Sequence, residues 1–128
     1  MPKKILIVDD SKTSQFLERT VLKKASYEVI TAADGEEGVL KTRTERPDLV
    51  LMDVVMPKMN GFEALRVLRA GLETRDIPVI MVTTRGEGQN VEQGFEAGCT
   101  DFVTKPVDGL ELIAKVKSCL GEGQEVEP

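Results

Sequence analysis

Short apolar runs alternate along the chain with longer segments of mixed polarity. The runs are rich in β-branched and other aliphatic residues, a composition typical of strands buried on both faces of a parallel sheet. They lie at residues 5–8, 29–30, 49–52, 79–82 and 102–103. The second and fifth runs are the shortest, and their assignment depends partly on their place in the alternation. The pattern predicts five strands.

The segments between the runs carry helix signals. Three of them place Asp or Asn three residues before Glu, the spacing of a capping box, at residues 34–37, 60–63 and 108–111. Two sets of apolar residues spaced i, i+3 and i+7 each predict one buried helix face: Leu65, Leu68 and Leu72, and Ile113, Val116 and Leu120.

This alternation predicts an α/β fold, a doubly wound parallel sheet with helices on both faces. Right-handed crossovers would bring the carboxyl ends of all the strands to one edge of the sheet. Ligands of such folds bind outside those ends, where the strand order reverses. The functional residues are therefore expected at the ends of the apolar runs.

Composition narrows the choice of function. A chain of 128 residues suits one domain, and its net charge of −5 argues against a sequence-independent nucleic-acid binder. No apolar run approaches the roughly 18 residues that span a bilayer. Two cysteines in no metal or disulfide spacing favour the reducing cytoplasm, and the absence of histidine excludes most zinc sites and histidine-based catalysis.

Polar residues follow four of the predicted strands. Each has an ordinary structural explanation when taken alone, as a helix cap, a turn residue, a strand threonine or an exposed lysine. Together they place three carboxylates, a hydroxyl and an ammonium group on one edge of the sheet. The residues are Asp9 and Asp10 after the first run, Asp53 after the third, Thr83 after the fourth and Lys105 after the fifth.

The charges of this set suggest a chemistry. Carboxylates about 4 Å apart repel by about 4 kcal/mol at an effective dielectric of 20, and one lysine does not neutralise three of them. A hard divalent cation such as Mg²⁺ would complete the balance, with Ca²⁺ a weaker alternative because no EF-hand spacing occurs. Since no histidine, cysteine or serine is placed for activation, a carboxylate is the natural nucleophile, and carboxylates form aspartyl phosphates.

Four motifs make the chain resemble the CheY-like receiver domain of two-component response regulators. They are Ile-Val-Asp-Asp-Ser at 7–11, Leu-Met-Asp-Val-Val-Met-Pro-Lys-Met-Asn-Gly at 51–61, Met-Val-Thr at 81–83 and Phe-Val-Thr-Lys-Pro at 102–106. The resemblance covers residues 3–120 and implies the flavodoxin-like strand order 2-1-3-4-5. It divides the chain into a receiver domain at 1–120 and a flexible tail or linker start at 121–128.

The resemblance also implies a role for each site residue. Asp53 is the expected phosphoacceptor, and Lys105 is the expected partner of the phosphoryl group. The remaining roles are metal binding by Asp9, Asp10, Asp53 and the Val55 backbone carbonyl, switching by Thr83 and Phe102, and a cis peptide bond between Lys105 and Pro106. Mg²⁺ is the expected ion, with Mn²⁺ as a substitute, and phosphorylation is expected to alter the face formed by the fourth helix, fifth strand and fifth helix.

Some positions depart from the usual pattern of the family or vary within it. Phe102 replaces a common tyrosine, and Thr84 stands where a smaller residue is usual, which would narrow access to Asp53. Val55 and Arg85 occupy variable positions that tune phosphoryl lifetime. An apolar Val55 would shield an acyl phosphate from water, whereas Arg85 would hold charge at its mouth.

The expected partners are a sensor histidine kinase or histidine phosphotransfer protein, and a downstream protein or effector domain. Direct nucleic-acid binding, membrane binding and enzymatic turnover of other substrates are not expected, and a phosphorylation-dependent dimer is an additional expectation. A pseudo-receiver, which uses the fold only for protein interaction, is the remaining alternative. A flavodoxin is disfavoured by the acidic first loop, and a haloacid dehalogenase-type phosphatase by the lack of a second carboxylate two residues after Asp53.

Overall fold

Five parallel strands and five helices alternate along the chain. The computed structural model describes residues 2–84 and 88–122, and gives no side-chain description at 88–91. Within these residues the elements are β1 (Lys4–Val8), α1 (Lys12–Lys24), β2 (Glu28–Ala32), α2 (Gly35–Glu45), β3 (Leu49–Asp53), α3 (Gly61–Ala70), β4 (Val79–Thr84), α4 (Gly88–Ala97), β5 (Asp101–Lys105) and α5 (Gly109–Cys119).

The strand order is β2-β1-β3-β4-β5, which confirms the predicted doubly wound topology. All four neighbouring pairs are parallel, and their register aligns the carboxyl ends of the strands. Val8 pairs with both Ala32 and Met52, and Thr84 pairs with Lys105. The ends of β1, β3, β4 and β5 therefore lie at one edge of the sheet, here called the carboxyl edge.

Each face of the sheet has its own core because successive strand residues point to opposite sides. Ile5 and Ile7 of β1 pack in the core that includes Leu22 of α1 and Leu112 of α5. The alternate strand residues pack in the core that includes side chains of α2, α3 and α4. Strands β1 and β3 are almost wholly buried, as their continuous apolar sequences predict.

Caps begin several helices as the sequence predicts. The capping box of α3 is complete, because Asn60 and Glu63 each accept the other's backbone N–H. Asp34 and Asp108 are N-caps without a complete capping box: Asp34 accepts from the Glu37 backbone, and Asp108 from that of Leu110. These caps fix where α2, α3 and α5 start at the carboxyl edge.

Each of the two predicted helix faces packs in the core at two of its three positions, which include Leu65 and Leu68 of α3, and needs correction at the third. Leu72 is 79% exposed because α3 ends at Ala70, so the i+7 position falls beyond the helix. In α5, Val116 and Leu120 pack in the core as predicted, but Leu112 is fully buried in place of Ile113, which is only partly buried. No helix in the described part of the chain has both the length and the apolar composition needed to cross a bilayer.

Candidate functional site

Three carboxylates meet at the carboxyl edge of the sheet, where β1 and β3 end side by side. Asp9 is 1% exposed and Asp53 is 7% exposed, whereas Asp10 faces solvent. Oxygen atoms of Asp9, Asp10 and Asp53 lie within 4.8 Å of one another. The topology thus brings together the acids that the sequence placed in two separate segments.

Backbone and side-chain contacts fix Asp9 at the end of β1. Its N–H donates to the Ala32 carbonyl over 3.1 Å, and its carboxylate Oδ1 accepts the Ser11 N–H over 2.8 Å. The Gln15 amide of α1 donates to the Asp9 carbonyl over 2.6 Å. Ser11 also caps α1 by accepting the Ser14 N–H, so the helix start and the acid are positioned together.

Lys105 connects the acids of β1 and β3 from the end of β5. Its ammonium Nζ lies 3.2 Å from Asp9 Oδ2 and 3.4 Å from Asp53 Oδ1. The peptide bond from Lys105 to Pro106 is cis. The predicted ammonium group therefore faces the predicted nucleophile directly, with Asp9 as a shared neighbour.

Burial and crowding change the proton affinity of these groups. Burial raises the pKa of Asp53 to about 6, with Asp9 adding to the rise and Lys105 opposing it. Burial lowers the pKa of Lys105, but Asp53 and Asp9 outweigh that effect and raise the pKa above its ordinary value. At neutral pH Asp53 is therefore mostly ionised and Lys105 is cationic, the states that a nucleophile and an anion-binding group require.

The donor set fits a hard divalent cation. It offers three carboxylates and only one lysine, and hard cations such as Mg²⁺ take oxygen ligands. The Val55 backbone carbonyl follows β3 by two residues and accepts no hydrogen bond from the residues that the structure describes. The Val55 side chain is 64% exposed, so its apolar surface borders the edge rather than the core.

A close backbone approach shapes the loop after Asp53. The Gly61 N–H donates to the Val54 carbonyl over 2.8 Å. A Cβ atom on Gly61 would lie 2.2 Å from the Asp53 carbonyl oxygen and 3.0 Å from Val54 Cα. Glycine is therefore required where α3 begins, and this contact sets the distance between α3 and the strand that carries Asp53.

Thr83 and Thr84 end β4 beside the site. Thr83 is buried and pairs in register with Thr104, whereas Thr84 is exposed and pairs with Lys105. Asp53 pairs with Val82, one residue before Thr83, so Thr83 lies one residue beyond Asp53 along the neighbouring strand. Arg85, the remaining predicted tuning residue, lies outside the described residues.

Phe102 lies in β5 with its ring directed at α4. It is 7% exposed, and its ring centroid is 5.5 Å from that of Phe95. A Cβ atom on Gly94 would lie 2.5 Å from the ring, so the α4 backbone is in direct contact with it. Lys115 of α5 donates a hydrogen bond to the Phe102 carbonyl. The ring of the predicted switch aromatic thus packs against α4, and its backbone carbonyl is hydrogen-bonded to α5.

Glu18 is a buried acid near the site that the sequence analysis did not single out. It is 3% exposed and points from α1 toward the sheet. Burial raises the pKa of Glu18 to about 8, with Asp9 adding to the rise and Lys105 opposing it. Its spacing of four residues from Leu22 was the available signal, since i and i+4 share a helix face.

Comparison with known proteins agrees with this geometry. The sequence model of the response regulator receiver domain matches residues 5–117. Protein PilH of Pseudomonas aeruginosa is 44% identical over 117 residues, covering 91% of this chain and 97% of PilH. The chain also matches the transcriptional regulatory protein PhoP of Bacillus subtilis, with 39% identity, and the transcriptional regulator RpaA of Synechocystis sp., with 40% identity, and it spans about half of their length.

Solved structures share the fold closely. A response regulator from Chloroflexus aurantiacus is 36% identical, with a TM-score of 0.92, and the match covers 94% of this chain and 99% of that one. The receiver domain of the sensor histidine kinase PA1611 from Pseudomonas aeruginosa is 30% identical, with a TM-score of 0.88 and the same two coverages. That receiver domain holds a magnesium ion in its active-site cleft.

Proposed function

This chain belongs to the response regulator receiver domain family, and we propose that its Asp53 accepts a phosphoryl group in a Mg²⁺-dependent reaction. The phosphoryl donor is a histidine kinase or a histidine phosphotransfer protein. One observation carries the proposal: Asp53 shares Lys105 with Asp9 at an edge where three carboxylates lie within 4.8 Å of one another. Folding alone gives no reason to collect these charges.

The chemical step is a displacement at phosphorus. A carboxylate oxygen of Asp53 attacks the phosphorus of the donor phosphohistidine, so that an O–P bond forms and the N–P bond breaks. The electron pair leaves with the imidazole nitrogen, which takes a proton from solvent. Lys105 is 3.4 Å from Asp53 and stabilises negative charge on the transferred group.

The acids beside Asp53 would hold the metal ion. Asp9, Asp10, Asp53 and the Val55 carbonyl are the oxygen donors for Mg²⁺, with Mn²⁺ as a substitute. The ion would supply positive charge for the phosphoryl oxygens. Asp9 is already held by Ser11 and Lys105, so little reordering is needed on the β1 side.

Phosphorylation would be transmitted through Thr83 and Phe102. In this proposal Thr83 hydrogen-bonds a phosphoryl oxygen, and Phe102 changes its packing against Gly94 in response. Support comes from the direct contact of the Phe102 ring with the α4 backbone and from the Lys115 hydrogen bond to the Phe102 carbonyl. A shift of this one side chain would alter the face formed by α4, β5 and α5.

The functional context follows from the same proposal. The domain acts in the cytoplasm as a phosphorylation switch, with no turnover of other substrates beyond gaining and losing its own phosphoryl group. Its downstream target is a protein or effector domain, and phosphorylation promotes pairing of two copies. Since relatives include transcriptional regulators, the lack of direct nucleic-acid binding by this domain stays a prediction.

The proposal is tested by incubating the protein with acetyl phosphate and Mg²⁺ and measuring intact mass. We expect one added phosphoryl group that is labile to base, and loss of the signal in Asp53→Asn. The matched control is Asp76→Asn, an exposed aspartate in the segment between α3 and β4. Thr83 and Phe102 resonances should shift when beryllofluoride, a phosphoryl mimic, is added with Mg²⁺.

A different result would favour the pseudo-receiver alternative. Neither acyl phosphate formation nor beryllofluoride binding would then be seen in the wild type, although the fold would be intact by circular dichroism. Equal phosphorylation of Asp53→Asn and the wild type would instead show that another residue is the acceptor.

A further inference from the structure

Glu18 is a buried acid to which the reaction described above assigns no role. It lies on the inner face of α1 and is 3% exposed. Among the residues that the structure describes, none forms a hydrogen bond or an ion pair with its carboxyl group. The other two buried acids at this edge, Asp9 and Asp53, both contact Lys105.

A cavity connects Glu18 with the functional lysine. Its volume is about 210 Å³, and its walls come from α1 on one side and from the end of β5 and the following loop on the other. Glu18 and Lys105 both line it, together with Ser14 and Pro106. The lysine side chain thus has space on its α1 side as well as acceptors on its sheet side.

The charged groups acting on Glu18 all belong to the functional site. They are Asp9 of β1 and Asp53 of β3, which disfavour its ionised form, and Lys105 of β5, which favours that form. No charged group of α5, which also packs against α1, is among them. Glu18 therefore responds to the charge of this site and has little contact with water.

Packing gives no reason for an acid at this position. An apolar side chain of similar volume would avoid the desolvation of a carboxyl group that has no hydrogen-bond partner. The cost is understandable if the carboxyl group acts on Lys105.

We propose that Glu18 is a positioning residue that offers the Lys105 ammonium group a third acceptor and so limits its availability to a phosphoryl group on Asp53. This inference depends on the proposed phosphoacceptor function. When Glu18 is ionised, it attracts Lys105 toward α1 and adds negative charge near Asp53. When Glu18 is neutral, Lys105 is free to pair with the phosphoryl group, so neutral Glu18 favours phosphoryl binding.

The first experiment tests the link between the two side chains without metal or phosphoryl group. The carboxyl carbon of Glu18 is followed by NMR through a pH titration, with Glu18→Gln used to assign the signal. We expect the titration midpoint to move to higher pH in Lys105→Met, because the ammonium group that favours the ionised form is gone. An unchanged midpoint in Lys105→Met would overturn the inference.

The second experiment measures the effect on phosphoryl binding. Beryllofluoride affinity is measured with Mg²⁺ from about pH 6 to about pH 9 in the wild type, Glu18→Gln and Glu18→Leu. At about pH 9 the wild type should bind beryllofluoride roughly threefold to tenfold more weakly than both variants do. A tenfold change is equivalent to a coupling of about one pKa unit. The control is Glu28→Gln, the same change at an exposed residue of β2 at the opposite edge, which should follow the wild type.

The outcomes separate this inference from the function on which it depends. Parallel pH profiles for the wild type and Glu18→Gln would overturn the role of Glu18 while leaving the phosphoacceptor function in place. No beryllofluoride binding by any of the four proteins would overturn the phosphoacceptor function and this inference with it. Glu18→Leu distinguishes charge from shape, since it should behave like Glu18→Gln if only the charge matters.

Discussion

Charged side chains are partly exposed at one edge of the sheet and mostly buried at the other. At the amino edge, where the strands begin, Lys4 is paired with Glu45 over 3.4 Å, and its backbone N–H donates to Asp48 over 2.7 Å. Both side chains of the Lys4–Glu45 pair are partly exposed, at 26% and 48%. At the carboxyl edge, the Lys105 ammonium group contacts two buried carboxylates, those of Asp9 and Asp53.

The two edges differ in how far their charges are hydrated and balanced. The amino edge matches its charges in contact with water, an arrangement that is nearly neutral for folding. The carboxyl edge buries Asp9, Glu18 and Asp53 around one lysine, and burial raises the pKa of two of these acids. The second arrangement costs folding free energy and yields a site whose groups respond to an added charge.

The largest expected effect concerns the two ends of α3, which lie at opposite edges. Gly61→Ala should lower the free energy of unfolding by about 3 kcal/mol or more, because its Cβ atom would meet the backbone of Asp53. Gly71→Ala should cost only about 1 kcal/mol, since its Cβ atom meets the Thr74 hydroxyl group instead of backbone, and the change disturbs one hydrogen bond, from Thr74 to the Leu68 carbonyl. Urea unfolding of both variants measures the contrast.

Equal destabilisation by the two substitutions would contradict the view that the carboxyl edge is the more tightly constrained of the two. Gly71→Ala is the matched control, because both changes add one methyl group at an end of the same helix. If Gly61→Ala still folds, it should also bind beryllofluoride more weakly, as the backbone that carries Asp53 must shift.

Much of this fold could be predicted from the sequence, because a parallel sheet buries its central strands on both faces. The apolar runs of β1 and β3 stand out for that reason. Strand β2 gives a weaker signal, since it lies at the end of the sheet and only Ala32 of its five residues is fully buried. The error at Leu72 arose because spacing alone does not show that α3 ends at Ala70.

The sequence indicated most of the residues at the site, but it did not show the distances between them or their burial. Topology alone brings Asp9, Asp53 and Lys105 together, and the structure shows that they are in contact range. Glu18 escaped prediction because a glutamate on a surface helix is usually solvated, and only the packing of α1 on the sheet shows that it is buried. The roles of these residues in phosphoryl transfer stay predictions.

The next effect is a pH dependence of stability that originates at the carboxyl edge. The pKa values of Glu18, about 8, and Asp53, about 6, are above their ordinary values of 4.5 and 3.8. The folded chain therefore binds these protons more tightly than the unfolded chain does. The contribution of this tighter proton binding to the free energy of unfolding is fully present below about pH 4. It is lost as the pH rises through 6, where Asp53 ionises in the folded chain, and then through 8, where Glu18 does, by a few kcal/mol in total.

Glu18→Gln isolates the upper part of this dependence, because the chain has no histidine to titrate in the same window. Between pH 6 and pH 9 the wild type should lose more unfolding free energy than Glu18→Gln does, as measured by urea unfolding at a series of pH values. Glu28→Gln, at the amino edge, should retain the slope of the wild type. A wild-type slope equal to that of Glu18→Gln would mean that Glu18 is already ionised below this window.

The smallest effect compares the two lysines directly. At pH 7, Lys105→Met should lower the free energy of unfolding by about 1–3 kcal/mol, because it leaves Asp9 and Asp53 facing each other without a cation. Lys4→Met should cost less than about 1 kcal/mol, since the Lys4–Glu45 pair is partly exposed.

Salt and acid separate the two lysines further. About 1 M NaCl should remove most of the Lys4→Met effect by screening, but only part of the Lys105→Met effect, because Asp9 is almost fully buried. Below about pH 4 the Lys105→Met effect should become smaller, since Asp53 is then protonated and the lysine has less charge to neutralise. Equal salt sensitivity of the two variants would show that Lys105 is as well hydrated as Lys4, and the contrast between the edges would then have to come from the acids alone.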